Sequence, residues 1–131
     1  MKTRVKPLLV GIVSCLILLV SCADTNKEEV KFKVLGYSGN FTGSYSIDGA
    51  TDVTIISSSL GSNDYFSEKT VEISDQLEIN ASPVDPTGDA LSSLEIKVYR
   101  DGALIKNVQD ATAPIEAISL TYTSGEAASS N

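Results

Sequence analysis

Few residues in this chain are equipped for covalent chemistry. Its two cysteines, Cys15 and Cys22, both sit near the N-terminus, and none of its 131 residues is histidine. Cys–His and Ser–His nucleophile pairs are therefore absent, as are histidine haem ligation and most zinc sites. What remains is oxygen chemistry. Asp85, Asp89 and the carbonyls of loop 82–90 offer oxygen ligands of the kind a calcium ion prefers. The loop lacks the Asp/Asn/Gly/Glu order of a calcium site, however, and Pro83, Pro86 and Gly88 suit a plain solvated loop. Asp48 and Asp52 flank Gly49-Ala50-Thr51, where a turn or capping role is expected. Glycoside hydrolysis needs two carboxylates across a cleft, which so small a domain with so few aromatics is poorly equipped to form. No catalytic residue, no metal and no cofactor is expected, and the chain is not read as an enzyme. Tyr37, Tyr45, Tyr65, Tyr99 and Tyr122 are the candidate ligand platforms. Tyr99 falls out of phase with Leu94, Ile96 and Val98, so it is expected to face outward beside Asp101-Gly102. Asn40-Phe41-Thr42 and Asn80-Ala81-Ser82 match the glycosylation spacing and are read as chance.

The cysteines have a different context. Lys2, Arg4 and Lys6 precede a mostly apolar run, Leu8 to Val20, interrupted by Gly11, Ser14 and Cys15. That run suits a secretory h-region and falls short of the roughly 20 residues of a membrane-spanning helix. It ends in Leu19-Val20-Ser21-Cys22, which resembles the lipobox of bacterial lipoproteins. The resemblance implies removal of residues 1–21 as a signal peptide and lipid attachment at Cys22. Ile12-Val13-Ser14-Cys15 also fits, but cleavage there leaves too short an h-region and strands Leu16 to Val20 on the mature terminus. An uncleaved anchor helix is the other alternative; the polar Ser-Cys exit, with no basic cluster after it, argues against it. Two acyl chains on Cys22 would hold a membrane stably, where one binds only marginally.

Removing residues 1–21 takes three of ten basic residues and none of the 17 acidic ones, so the formal charge moves from −7 to −10. Such a domain is repelled by nucleic acid and by anionic headgroups, and no basic stripe interleaved with aromatics is present. No nucleic-acid partner is expected. With Cys15 removed and Cys22 acylated, no disulfide can form.

Residues 22–29 read as a polar tether. From residue 30 apolar residues alternate with polar ones, the pattern of half-buried strands. Strands are expected at 30–34, 41–47, 53–58, 65–73, 77–81, 94–98, 103–108 and 118–122, with a hairpin at Asp101-Gly102 and a frayed tail over 124–131. The fold class is all-β: an antiparallel immunoglobulin-like β-sandwich of 7–8 strands spanning residues 30–123, without the tryptophan and cysteine pair of antibody domains.

Val30 to Gly36, Tyr45-Ser46-Ile47, Leu94 to Val98 and Tyr99 to Lys106 together resemble the domain of the mycobacterial MmpS family. That resemblance implies an envelope protein assisting a lipid-exporting transporter of the resistance-nodulation-division type. The chain departs from it in having a lipobox where such proteins have a transmembrane helix, and in lacking their cysteines. Lys27-Glu28-Glu29 is similar to the acidic stretch that directs lipoproteins to the cell surface in Bacteroidetes-like bacteria; otherwise it is a charged, extended tether.

The expectation from sequence is thus a non-enzymatic lipoprotein of the bacterial cell envelope. It is held at the outer membrane by acyl chains on Cys22, facing periplasm or exterior, as an interaction or transporter-accessory module. Its partner would be an envelope protein or polymer. The alternative is a small sugar- or lipid-binding sandwich.

Overall fold

A computed structural model describes residues 27–61, 63–85 and 90–129. Cys15, Cys22, the tether up to residue 26 and Asp89 lie outside the described residues. The described chain is all-β, with nine strands in two antiparallel sheets packed as a sandwich. The strands are β1 (Glu28–Tyr37), β2 (Phe41–Ile47), β3 (Val53–Ile55), β4 (Ser58–Ser59), β5 (Tyr65–Ile73), β6 (Gln76–Pro83), β7 (Ser93–Arg100), β8 (Ala103–Asp110) and β9 (Ile118–Thr123). One sheet has the order β4-β5-β1-β7-β8 and the other β3-β2-β6-β9.

In immunoglobulin terms, β1 to β6 stand where strands B, C, C′, D, E and F stand, and β9 takes the place of G. The position beside β1 that an A strand fills is taken by β7, which enters with β8 as a hairpin between β6 and β9. The sandwich frame is kept while the chain reaches one of its slots late.

Period-two patterning explains the register. Val30, Phe32 and Val34 point inward and are essentially fully buried, as are Leu94, Ile96 and Val98 opposite them and Leu77, Ile79 and Tyr122 from the other sheet. The ring of Phe32 meets that of Tyr45 at 5.1 Å between centroids, joining the sheets at mid-height. Leu91 and Ile115 come from stretches with no strand pattern, yet both are buried at one end of the core.

Turn chemistry follows composition. Asp101 and Gly102 both take positive φ, 52° and 78°, and close the β7–β8 hairpin as an Asp-Gly pair should. Asp48 and Gly49 do the same at the end of β2, with φ of 52° and 74°. Gly43 is needed for a different reason. A side chain there would run into the backbone carbonyl of Asn80 on the neighbouring strand β6. Gly43→Ala is expected to lower stability by about 1–2 kcal/mol through overpacking against backbone that has no room to yield. Urea unfolding would register it as a lower midpoint at unchanged slope.

Several boundaries differ from the sequence reading. β6 runs on through Ser82 and Pro83, read as loop, because they pair with Thr42 and Phe41 of β2. The strand expected at 53–58 is broken: residues 53–55 belong to one sheet and Ser58–Ser59 to the other, so Ile56-Ser57 crosses between them. This crossing makes nine strands where 7–8 were expected. The first strand begins at Glu28, inside the segment read as tether, because Glu28 and Glu29 pair with Ile73 and Glu72. The segment read as a frayed tail is hydrogen-bonded to the domain as far as Ser129, whose N–H donates to the Ile105 carbonyl at 2.9 Å.

Candidate functional site

One end of the sandwich, here called the base, gathers the start of β1, the ends of β2, β5 and β9, and the β7–β8 turn. The chain enters the domain there at Lys27. Glu28 faces the end of β9, and both its carboxylate oxygens are taken. Oε1 accepts from the Tyr122 hydroxyl at 2.8 Å and from Arg100 Nη1 at 3.1 Å. Oε2 accepts from Ser124 Oγ at 2.8 Å and from the Gly125 N–H at 2.9 Å. Burial by itself would raise the pKa of this carboxyl, but the donors from Ser124, Tyr122, Gly125 and Arg100 prevail and hold it at about 2. Arg100 also donates to the Tyr122 hydroxyl and to the Glu126 carbonyl, both at 3.0 Å. Next to this cluster, Lys106 bridges the sheets, donating to the Thr121 carbonyl at 2.8 Å and to Glu126 Oε1 at 2.7 Å.

The sequence carries no local sign of this cluster, since its members lie up to 97 positions apart. The only hint is parity: Tyr122 is in phase with buried Leu120, so its hydroxyl must find a partner. Among the described residues no buried side-chain nitrogen or oxygen lacks one.

Asp48 behaves as a cap, though for a turn other than its own. Its carboxylate accepts the N–H groups of Ser74, Asp75 and Gln76 at 2.7–3.2 Å. Those bonds, led by the one from Asp75, lower its pKa against the opposing effect of burial, with Lys27 adding attraction. Asp52 is exposed between β2 and β3. At the opposite, distal end Asp110 accepts the N–H groups of Glu116 and Thr112, which lower its pKa. Distal loops are tied by polar contacts: the Ser38 N–H to Asp64 at 2.8 Å, and Ser57 to Asn40 at 2.6 Å.

Asp85 sits at this distal end, in a shallow depression with Pro114, Ile115 and Glu116. Its proposed calcium partner Asp89 lies outside the described residues. Among the described residues no three Cys, His, Asp or Glu side chains are grouped to hold a metal.

The five tyrosines do not converge. Tyr45 and Tyr122 are core residues. Tyr37 lies on the outer face of the five-stranded sheet, whereas Tyr65, opposite Gly36, lies on the inner face. Tyr99 does face outward and carries Lys33 5.6 Å from its ring centre. It stands opposite Lys31, six residues from Tyr37 along β1, or roughly 20 Å at strand rise. Tyr45 borders one groove and Tyr99 another. Glu68 pairs with Lys31 and Lys33 at 3.4 and 3.1 Å on the same outer face, where water screens the pairs to small net effect.

No protein-family model, no curated protein and no solved structure matches this chain.

Proposed function

We propose that this chain is a non-enzymatic lipoprotein of the bacterial cell envelope, held at the outer membrane by acyl chains on Cys22 and acting as an interaction or transporter-accessory module. The observation that carries the reading is the run Leu19-Val20-Ser21-Cys22 placed directly before a short polar tether and a folded domain. With β1 beginning at Glu28, only a few polar residues separate Cys22 from the domain. The base would then stand next to the bilayer, with Asp48, Asp75 and Asp101 exposed on it. Those charges keep it off anionic headgroups, and the distal loops face away from the membrane.

Glu28, Asp48 and Asp110 each have their carboxylate occupied by internal donors, which gives all three a structural role. The likeness of the strand pattern to MmpS domains favours a transporter or another envelope protein as the partner. A sugar or lipid ligand is the second reading; the lack of clustered tyrosines weighs against a sugar.

The test is the intact mass of the membrane-extracted protein beside its Cys22→Ala variant. A species beginning at Cys22 with added acyl mass, lost in the variant along with membrane retention, is the expected result. A full-length unacylated chain that the substitution leaves unchanged would overturn the reading.

A further inference from the structure

The two long sides of the sandwich differ in how their edges are treated. On the β8/β9 side the edges are laced together. Lys106 crosses to the Thr121 carbonyl, Glu126 holds Lys106, and Ser129 caps the Ile105 carbonyl of β8. On the other side, β5 is nine residues long, yet β4 pairs only with its Tyr65 and Phe66. Among the described residues, no strand covers the outer edge of Ser67 to Ile73.

The facing sheet does not close this side either, because β3 has only three residues. Between the two edges runs a groove of about 310 Å3, walled by Phe32, Tyr45, Val53, Ile55, Ile56 and Lys69. Its apolar rim is open to water: Val53 is 48% and Ile56 82% exposed. Lys69, opposite Phe32, points to this inner side. Among the described residues it makes no ion pair, whereas the strand lysines Lys31, Lys33, Lys97 and Lys106 each have one.

An unpaired strand edge invites another strand, and an inward-pointing charge is one way of refusing unwanted ones. We propose that the free edge of β5 accepts an extended segment of a partner protein. The segment adds as an antiparallel strand, with a carboxylate opposite Lys69, apolar side chains opposite Ser67 and Val71 entering the groove, and basic side chains opposite Glu68 and Glu72. Main-chain hydrogen bonds supply the attraction and the alternating side chains the selectivity. A second copy of this chain fits less well. Two β5 strands paired about a two-fold axis at Lys69 oppose one lysine with the other, and about Thr70 they oppose Glu68 with Glu72; an axis at Val71 avoids like charges but pairs only residues 69–73. Like charges directly across a ladder are destabilising.

This inference rests on the reading of the domain as an interaction module, and it can fail separately. The probe is the blocked peptide Val-Lys-Val-Thr-Glu-Lys-Val, written to lie antiparallel along residues 73 to 67, added to the full chain in detergent. Hydrogen exchange is expected to slow over residues 67–73 and to remain unchanged in β9. Lys69→Glu, at an exposed site, should weaken binding by about tenfold, and a peptide with lysine in place of glutamate should restore it. Unchanged exchange in β5 would overturn the proposal, as would binding indifferent to Lys69→Glu. Protection by decanoate and not by the peptide would make the groove a lipid site and overturn it too. A dimer dispersed by Lys69→Glu would do the same in favour of a second copy. An acylated chain that ignores the peptide sinks only the edge proposal, and an unacylated chain that binds it sinks only the anchor.

Discussion

Glu28→Ala is expected to destabilise the domain by about 2–3 kcal/mol, because the Ser124 hydroxyl, the Gly125 N–H, the Tyr122 hydroxyl and Arg100 all lose their acceptor together. The carboxyl also sets an acid limit. Its folded pKa of about 2 lies below its ordinary value of 4.5. A depressed pKa means stability that is complete above pH 4.5 and is lost as pH falls toward 2. For a group shut away from water the gap is worth on the order of 3 kcal/mol; partial solvent access to this carboxylate brings it to about 2. Asp48, Asp110 and Glu126 are shifted in the same direction and steepen the acid limb. Unfolding free energy measured from pH 7 to pH 2 on the native protein and on Glu28→Gln would separate the contributions. The variant should start lower at pH 7 and fall less on acidification. Parallel curves would mean that the carboxylate does not hold the base together.

Phe32→Ala is expected to have the largest effect of any single truncation, about 3–5 kcal/mol. The side chain is fully buried, touches the Tyr45 ring and lies in the central strand β1, between β5 and β7. Against a total stability of 5–15 kcal/mol typical of small domains, that loss leaves little folded protein at elevated temperature. Denaturant unfolding with an unchanged slope would show it as a true stability loss, and Phe32→Leu should recover more than half. A cost under about 1 kcal/mol for the alanine variant would mean that the sheets are not joined through this ring.

The strands themselves were legible in the residues. Val30-Lys31-Phe32-Lys33-Val34 and Leu94 to Val98 alternate without a break, and a half-buried sheet face demands that alternation wherever it occurs. Asp101-Gly102 announced its hairpin because only residues tolerant of positive φ can form that turn. Lipid attachment at Cys22 remains a reading of residues alone.

Three things were decided only by the assembled sheets. One was the sheet assignment of Val53 to Ser59: a polar β-branched run carries no mark of the point where it crosses from one layer to the other. Another was the burial of Leu91 and Ile115, single apolar residues without periodicity that fill the space left at the distal end by the strands around them. The last was the role of Glu28. As a residue it is one more charge in a polar tether; as a neighbour of Tyr122, Ser124 and Gly125 it fastens the first strand to the last. Local periodicity reports which side of a strand faces the core, since that depends on residues two apart. Which strands become neighbours, and so which side chains meet at the base and along the free edge of β5, depends on contacts between residues distant in the chain, and those exist only once the two sheets have closed.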